Sequence, residues 1–169
     1  MWRLDRYEKE PFWLLAGAFL WGEVPAVVAS LIAELIAGVP SGLLGGNLAS
    51  TIDSSVSAPV IEEVAKGLAV LVLFFAFHRE FDDVLDGIVY GAMVGFGFAM
   101  TENVLYFLSA FSTGGVADWG VVVFLRSIVF GLNHALYTSI TGAGLGLARY
   151  YSTVAKRLVV PMLALFLAI

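Results

Sequence analysis

The sequence predicts an all-α protein, a polytopic bundle of transmembrane helices. Three observations lead there. Of 169 residues, 60% are apolar and only 14% are charged, where soluble chains carry roughly 25% charged residues. The apolar residues gather into runs close to the roughly 20 residues that one helix needs to cross a bilayer, and mean hydropathy is +0.91. Outside those runs, positive charge is confined to alternate loops. The formal net charge of −5 leaves no basic face for nucleic acid. The chain has no cysteine, which excludes a disulfide framework, a cysteine-ligated zinc and a thiol nucleophile.

The first apolar run covers residues 11–38, opens on Pro11 and is interrupted by Glu23, Pro25 and Glu34. Proline suits a first helical turn because its missing N–H would have no partner there. Residues 40–57 are rich in Gly, Ser, Asn and Asp and read as a loop. The second run, 58–77, has Ser57 as its N-cap and Pro59 in its first turn. The third is 84–110, followed by a loop at 109–120, and the fourth is 121–148. The fifth, 158–169, is too short to cross, so an incomplete span and a chain truncated at its C-terminus are expected. The whole of 1–169 reads as one transmembrane domain.

Arg3, Arg6 and Lys9 precede the first run, Arg79 follows the second, and Arg149, Lys156 and Arg157 lie between the fourth and fifth. The loops 40–57 and 109–120 contain neither Lys nor Arg. The positive-inside rule then places the N-terminus in the cytoplasm and those two loops outside.

Ionisable residues within spans cost about 2.5–3.5 kcal/mol each on insertion scales and are functional candidates by default. The second run carries Glu62, Glu63 and Lys66, the third Glu102 and Asn103, the fourth Arg126, Asn133 and His134. At 1.5 Å per residue, Glu62 and Glu63 lie about 6–8 Å, Glu102 about 12 Å and His134 about 15–20 Å below the outer surface. All fall in the outer half of the bilayer, so they are expected to converge. Lys66 can neutralise one carboxylate of the pair but not both. Spacing of four pairs it with Glu62, which leaves Glu63 without a counter-charge. Gly87, Gly91 and Gly95 form a small-residue stripe on which another backbone can pack, and Glu102 continues it. Ser127, His134 and Thr141, spaced by seven, are expected on one helical face with Thr138 beside them.

These residues resemble the PrsW-type intramembrane proteases. Glu62-Glu63-Val64-Ala65-Lys66 is similar to the family's EExxK motif, and Phe98-Ala99-Met100-Thr101-Glu102-Asn103 to its FxxxEN motif. The stretch from Arg126 through Asn133, His134, Ser139 and Gly142 resembles its histidine-bearing third motif. The resemblance runs from Tyr7 to Arg149. It implies proteolysis of a membrane-anchored protein, such as an anti-sigma factor, on the outer side of a prokaryotic plasma membrane. In the wider clan, shared with the type II CAAX prenyl endopeptidases, it implies that a glutamate of the pair activates water while histidine and a polar partner stabilise the oxyanion. Glu102-Asn103 stands where the CAAX members have histidine, and Thr138 where they have asparagine, which argues against a CAAX substrate.

The catalytic set expected is Glu62, Glu63, Glu102, His134 and Asn103, with Lys66 in support. Either Glu62 or Glu63 is the base: spacing favours Glu63, the resemblance the first of the pair. The reading favours a metal-free glutamate mechanism. Should a divalent metal such as zinc take part, Glu63, Glu102 and His134 are its expected ligands. The rival readings are a proton-coupled transporter and a non-catalytic membrane scaffold. The expected sidedness has a direct test. Cysteines introduced at Ser54 and Ser112 of this cysteine-free chain are predicted to react with an impermeant thiol reagent on intact cells. Labelling only after lysis would reverse the topology.

Overall fold

The computed structural model describes residues 10–41 and 51–169, and the described residues are all helical with short connections. Helix α1, Phe12–Trp21, runs through a π-helical turn, Gly22–Ala26, into α2, Val27–Ser41. A second π-turn, Asp53–Ser57, leads into α3, Ala58–Ala76. Helix α4 is Val84–Phe124, continued by a third π-turn, Leu125–Val129. Helices α5, Asn133–Ala148, and α6, Val154–Ala168, complete the chain. Two helical stretches are long and apolar enough to cross a membrane, Phe12–Ile36 and Val84–Ala148. The stretch Ala58–Ala76 carries Glu62, Glu63 and Lys66 within its 19 residues.

Several expected boundaries move. The loop expected at 109–120 is helix on both sides of Gly115, the one position where the backbone leaves helical geometry, with φ 70° and ψ −156°. An L side chain is strained there and glycine is not. The hydroxyls of Ser112 and Thr113 bond back to the Ser109 carbonyl at 2.8 and 2.9 Å, so these turn-forming residues are absorbed into the helix. The chain reverses at Gly115: in a straight helix Glu102 and Arg126 would stand about 36 Å apart, yet their side chains meet at 2.5 Å. The fourth run is not one helix. It breaks at residues 130–132, where Phe130 N–H bonds the Leu125 carbonyl at 2.9 Å. Ser127 is therefore not on the same continuous helical face as His134 and Thr141. The loop expected at 40–57 is also partly helical. Pro40 and Ser41 belong to α2, and 51–57 are helical, the Ser54 hydroxyl bonding the Thr51 carbonyl at 3.4 Å. The rest of that loop, and the basic N-terminal segment with Arg3, Arg6 and Lys9, lie outside the described residues.

The hairpin formed by α4 and α5 is the spine of the fold. Gly87 lies against Gly142, Gly91 against the Thr138 carbonyl, Gly95 against His134, and Gly146 against Asp83. A Cβ at any of these glycines would overlap opposing backbone, so small residues are what allow the helices to touch. On the other face of α4, Gly97 meets the Phe19 carbonyl and Gly22 meets Val94. A core of Leu14, Ala18, Ala69, Val70, Leu73, Phe81, Tyr90, Val94 and Leu145 joins α1, α3, α4 and α5.

The end of the bundle opposite Gly115 is tied by polar contacts. Asp83 caps α4 by accepting from the Asp86 N–H at 3.0 Å, and the Asp86 carboxylate accepts from the Asp83 N–H at 2.9 Å, a reciprocal capping box. Arg149 donates to the carbonyls of Phe74 at 2.5 Å and Phe81 at 3.1 Å, while its guanidinium lies 3.8 Å from the Phe74 ring. It thereby satisfies a carbonyl in the last turn of α3, which has no intrahelical donor. The Tyr90 hydroxyl bonds Glu10 and donates to the Glu80 carbonyl at 3.2 Å.

The glycine contacts give paired expectations. Gly91→Leu is expected to destabilise the bundle by at least about 1–3 kcal/mol, the cost of overpacking. Gly17, with nothing within 4 Å of an added Cβ, should accept alanine with a gain of about 0.5–1 kcal/mol. Equilibrium unfolding midpoints of both variants in mixed detergent check the contrast.

Candidate functional site

The site is built from three helices held at fixed separations by those contacts. Glu62, Glu63 and Lys66 come from the second and third turns of α3, Glu102 and Asn103 from the middle of α4, and His134 from the first turn of α5. Arg126 comes from the third π-turn, and such turns often mark functional sites because they re-aim a side chain out of helical register.

Lys66 is the buried centre of the cluster, 1% exposed. Its Nζ lies 2.5 Å from Glu63 Oε1, 3.8 Å from Glu62 Oε2 and 3.0 Å from His134 Nδ1, and 4.4 Å from the centroid of the Phe98 ring. The pairing expected from spacing is thus reversed: Lys66 neutralises Glu63, and Glu62 is the carboxylate with slack. The reason is burial. Glu63 is 3% exposed, so an ion pair is worth most there, and the Thr138 hydroxyl lies 3.3 Å from its Oε2. Glu62 retains 18% side-chain exposure. The opposite ring nitrogen of His134 faces Glu102: Nε2 lies 2.9 Å from Glu102 Oε2.

Glu102 is held from a second side. Arg126 Nη2 donates to Glu102 Oε2 at 2.5 Å, and Nε donates to Asn103 Oδ1 at 2.8 Å. The guanidinium stacks 3.9 Å from the Tyr106 ring centroid. With its oxygen taken by Arg126, Asn103 keeps its amide N–H groups for another acceptor.

Two cavities meet at this cluster. The larger, about 680 Å³, extends toward α2 and the second π-turn, with Ser30, Glu34, Ser54 and Ser57 in its wall. The smaller, about 300 Å³, is lined by Glu63, Lys66, Asn103, Phe130, Gly131 and Tyr137 among others. Pro59, Glu62, Arg126 and His134 line both. The expected residues therefore come together, with Glu62 at the junction and Glu63 behind it. Glu23, which interrupts the first run, is not among the lining residues of either cavity; its carbonyl accepts from the Thr101 hydroxyl at 2.8 Å, beside Pro25. Arg126 stood among the in-span candidates, but only the reversal at Gly115 makes it a neighbour of Glu102, 24 residues away, and Tyr106 had no sequence signal at all. Glu34 did have one, as a charge inside an apolar run.

The donor set fits a divalent cation. One ligand atom from each of Glu62, Glu102 and His134 lies within 4.8 Å of the other two. The expected metal set had Glu63 in place of Glu62; the three groups brought together here are Glu62, Glu102 and His134, while Glu63 Oε1 lies against Lys66. Two carboxylates with one imidazole would suit zinc or a harder ion.

A membrane-embedded helical bundle with a carboxylate–histidine cluster between three helices defines the class of protein. The chain belongs to the PrsW family, described as "PrsW family intramembrane metalloprotease", whose profile matches residues 10–169. It is similar to Protease PrsW of Oceanobacillus iheyensis, 34% identical over 97 residues, which are 57% of this chain and 41% of that relative. It is also 37% identical over 91 residues to Protease PrsW of Geobacillus kaustophilus, covering 53% and 36% of the two chains. Protease PrsW of Bacillus subtilis is 36% identical over 96 residues, 57% of this chain and 40% of the relative. The matches thus span about two-fifths of the length of these relatives. No solved structure matches.

Arg126 generates a prediction of its own. Arg126→Gln removes a charged hydrogen bond to Glu102 and should destabilise the protein by about 1.5–3 kcal/mol. Arg126→Lys should recover only part, since it restores the charge but not the two-pronged, stacked geometry. A double-mutant cycle with Glu102→Gln, read by unfolding in detergent, measures the coupling.

Proposed function

We propose that the chain hydrolyses a peptide bond of a membrane-anchored protein, with an anti-sigma-factor-like substrate cut near the outer face of a bacterial plasma membrane. The observation that carries this reading is the convergence of Glu62, Glu102 and His134 within 4.8 Å at the junction of two cavities inside an apolar helical bundle. The transporter alternative needs a polar path through the bundle. Among the described residues, the apolar core cluster lies beneath the site instead.

In this reading the scissile carbonyl lies at the junction. Glu62 takes a proton from water as the water oxygen bonds to the carbonyl carbon, and later returns it to the departing amine as the C–N bond breaks. Asn103, with its amide N–H groups unspent, and His134 face the developing oxyanion. Glu63 and Lys66 act behind them: Lys66 positions the His134 ring through Nδ1, and Glu63 balances Lys66. Glu102 orients His134 and Arg126 rather than moving protons. A bound cation would be held by Glu62, Glu102 and His134, and would supply a Lewis acid that polarises the carbonyl and acidifies water. The multi-pass topology with cytoplasmic N-terminus belongs to the same proposal, because it places the cluster in the outer half of the bilayer.

The test is cleavage of a single-span substrate by purified protein. Glu62→Gln preserves shape and removes proton transfer, so activity should fall by about 10²–10⁴-fold while the unfolding midpoint stays within the wild-type range. Strong chelator followed by re-addition of zinc or manganese separates the two forms of the mechanism: reversible loss assigns the cation a role, and full activity in chelator removes it. Undiminished cleavage by Glu62→Gln would overturn the proposal.

A further inference from the structure

Glu34 is the one carboxylate of the larger cavity that the mechanism leaves unused. It lies two residues from the end of a stretch apolar enough to cross a membrane, Phe12–Ile36, where an ionisable residue is a functional candidate by default. Such a residue is normally balanced by a cation. Among the described residues no ion pair forms on Glu34. Arg126, the cation that lines the same cavity, is already committed to Glu102 and Asn103. Lys66 is buried against Glu63 and His134.

The surroundings of Glu34 are those of a space meant to be filled. The cavity of about 680 Å³ leads from Glu34, past the hydroxyl-bearing Ser54 and Ser57, to Glu62 and His134. That volume holds several side chains of an extended peptide, and Glu62 lines both it and the smaller cavity. A peptide crossing the junction would lay one arm along Glu34. The two arms differ in charge: the smaller cavity sets Lys66 and Arg126 against Glu62 and Glu63, whereas the larger sets Arg126 alone against Glu34, Glu62 and Glu102.

We propose that Glu34 is a specificity-determining residue: it receives a basic side chain, lysine or arginine, of the substrate on the arm that occupies the larger cavity. The inference rests on the peptide-hydrolase reading above. It selects among membrane-anchored proteins those with a positive residue a few positions from the cut bond. The Glu34 carboxylate, without an ion pair among the described residues, gains a counter-charge when such a substrate binds, so recognition and charge neutralisation are the same event.

The experiment uses the full chain in nanodiscs and synthetic single-span peptides whose juxtamembrane segment is alanine, with one lysine or its neutral counterpart norleucine scanned through it. Two quantities are read: the ratio of kcat/KM for lysine over norleucine at each position, and the same ratio for binding by fluorescence anisotropy. Wild type is expected to favour lysine about tenfold at one position on one side of the cut. Glu34→Gln should bring that ratio to about one, and Glu34→Arg should shift the preference to a glutamate at the same position. A lysine preference that survives Glu34→Gln, or no preference at any position in either measurement, would overturn the assignment. If no peptide is cleaved but binding keeps a Glu34-dependent lysine preference, the hydrolase reading fails and the recognition site stands.

Discussion

Everything at the site depends on how closely α4 and α5 approach. Two helices with ordinary side chains pack with axes about 8–10 Å apart. Here glycine faces glycine at 87 and 142, and glycine faces carbonyl at 91, 95 and 146. That closeness lets a histidine in the first turn of α5 touch a glutamate in the middle of α4 at 2.9 Å. α3 then packs beside both, so that Lys66 spans the gap from Glu63 to His134. A larger residue in the stripe would part the helices and lengthen each of these contacts together.

The cluster is also a problem in charge. Glu62, Glu63 and Glu102 face two permanent cations, Lys66 and Arg126. Each cation has one preferred carboxylate, Glu63 for Lys66 and Glu102 for Arg126, and Glu62 is left with a 3.8 Å contact. The unbalanced charge therefore falls on the carboxylate that lines both cavities. A proton or a divalent cation would answer the same deficit, and each has a place in the proposed hydrolysis. The arrangement gives Glu63 and Glu62 different tasks although they are neighbours in sequence and chemically identical.

Much of this was legible in the residues. Composition sufficed for an all-helical membrane protein, and the placement of charges in the runs named Glu62, Glu63, Lys66, Glu102, Asn103 and His134 as one cluster. The glycine stripe was legible because period and residue size are both local properties. What failed was what depends on tertiary geometry. Helical spacing paired Lys66 with Glu62, but burial decided for Glu63. Gly, Ser and Thr at 109–120 read as a loop, yet the hydroxyls of Ser112 and Thr113 find carbonyls within the helix and only Gly115 turns. The break at 130–132 was hidden because Phe130, Gly131 and Leu132 are compatible with an apolar helix; the π-turn before it is what interrupts the ladder.

That break has a meaning of its own in a bilayer. Lipid offers no partner to a peptide group that has lost its helical hydrogen bond, so interrupted backbone is tolerated only against protein or water. Phe130 and Gly131 line the smaller cavity, beside Glu62 and His134. Hydrolysis within a membrane is limited by its least soluble reactant, which is water. An interrupted helix is a standing demand for hydration, placed where the proposed reaction would consume it. The backbone at 130–132 would thus act as a wick, drawing water to the cavity whether or not a substrate is present.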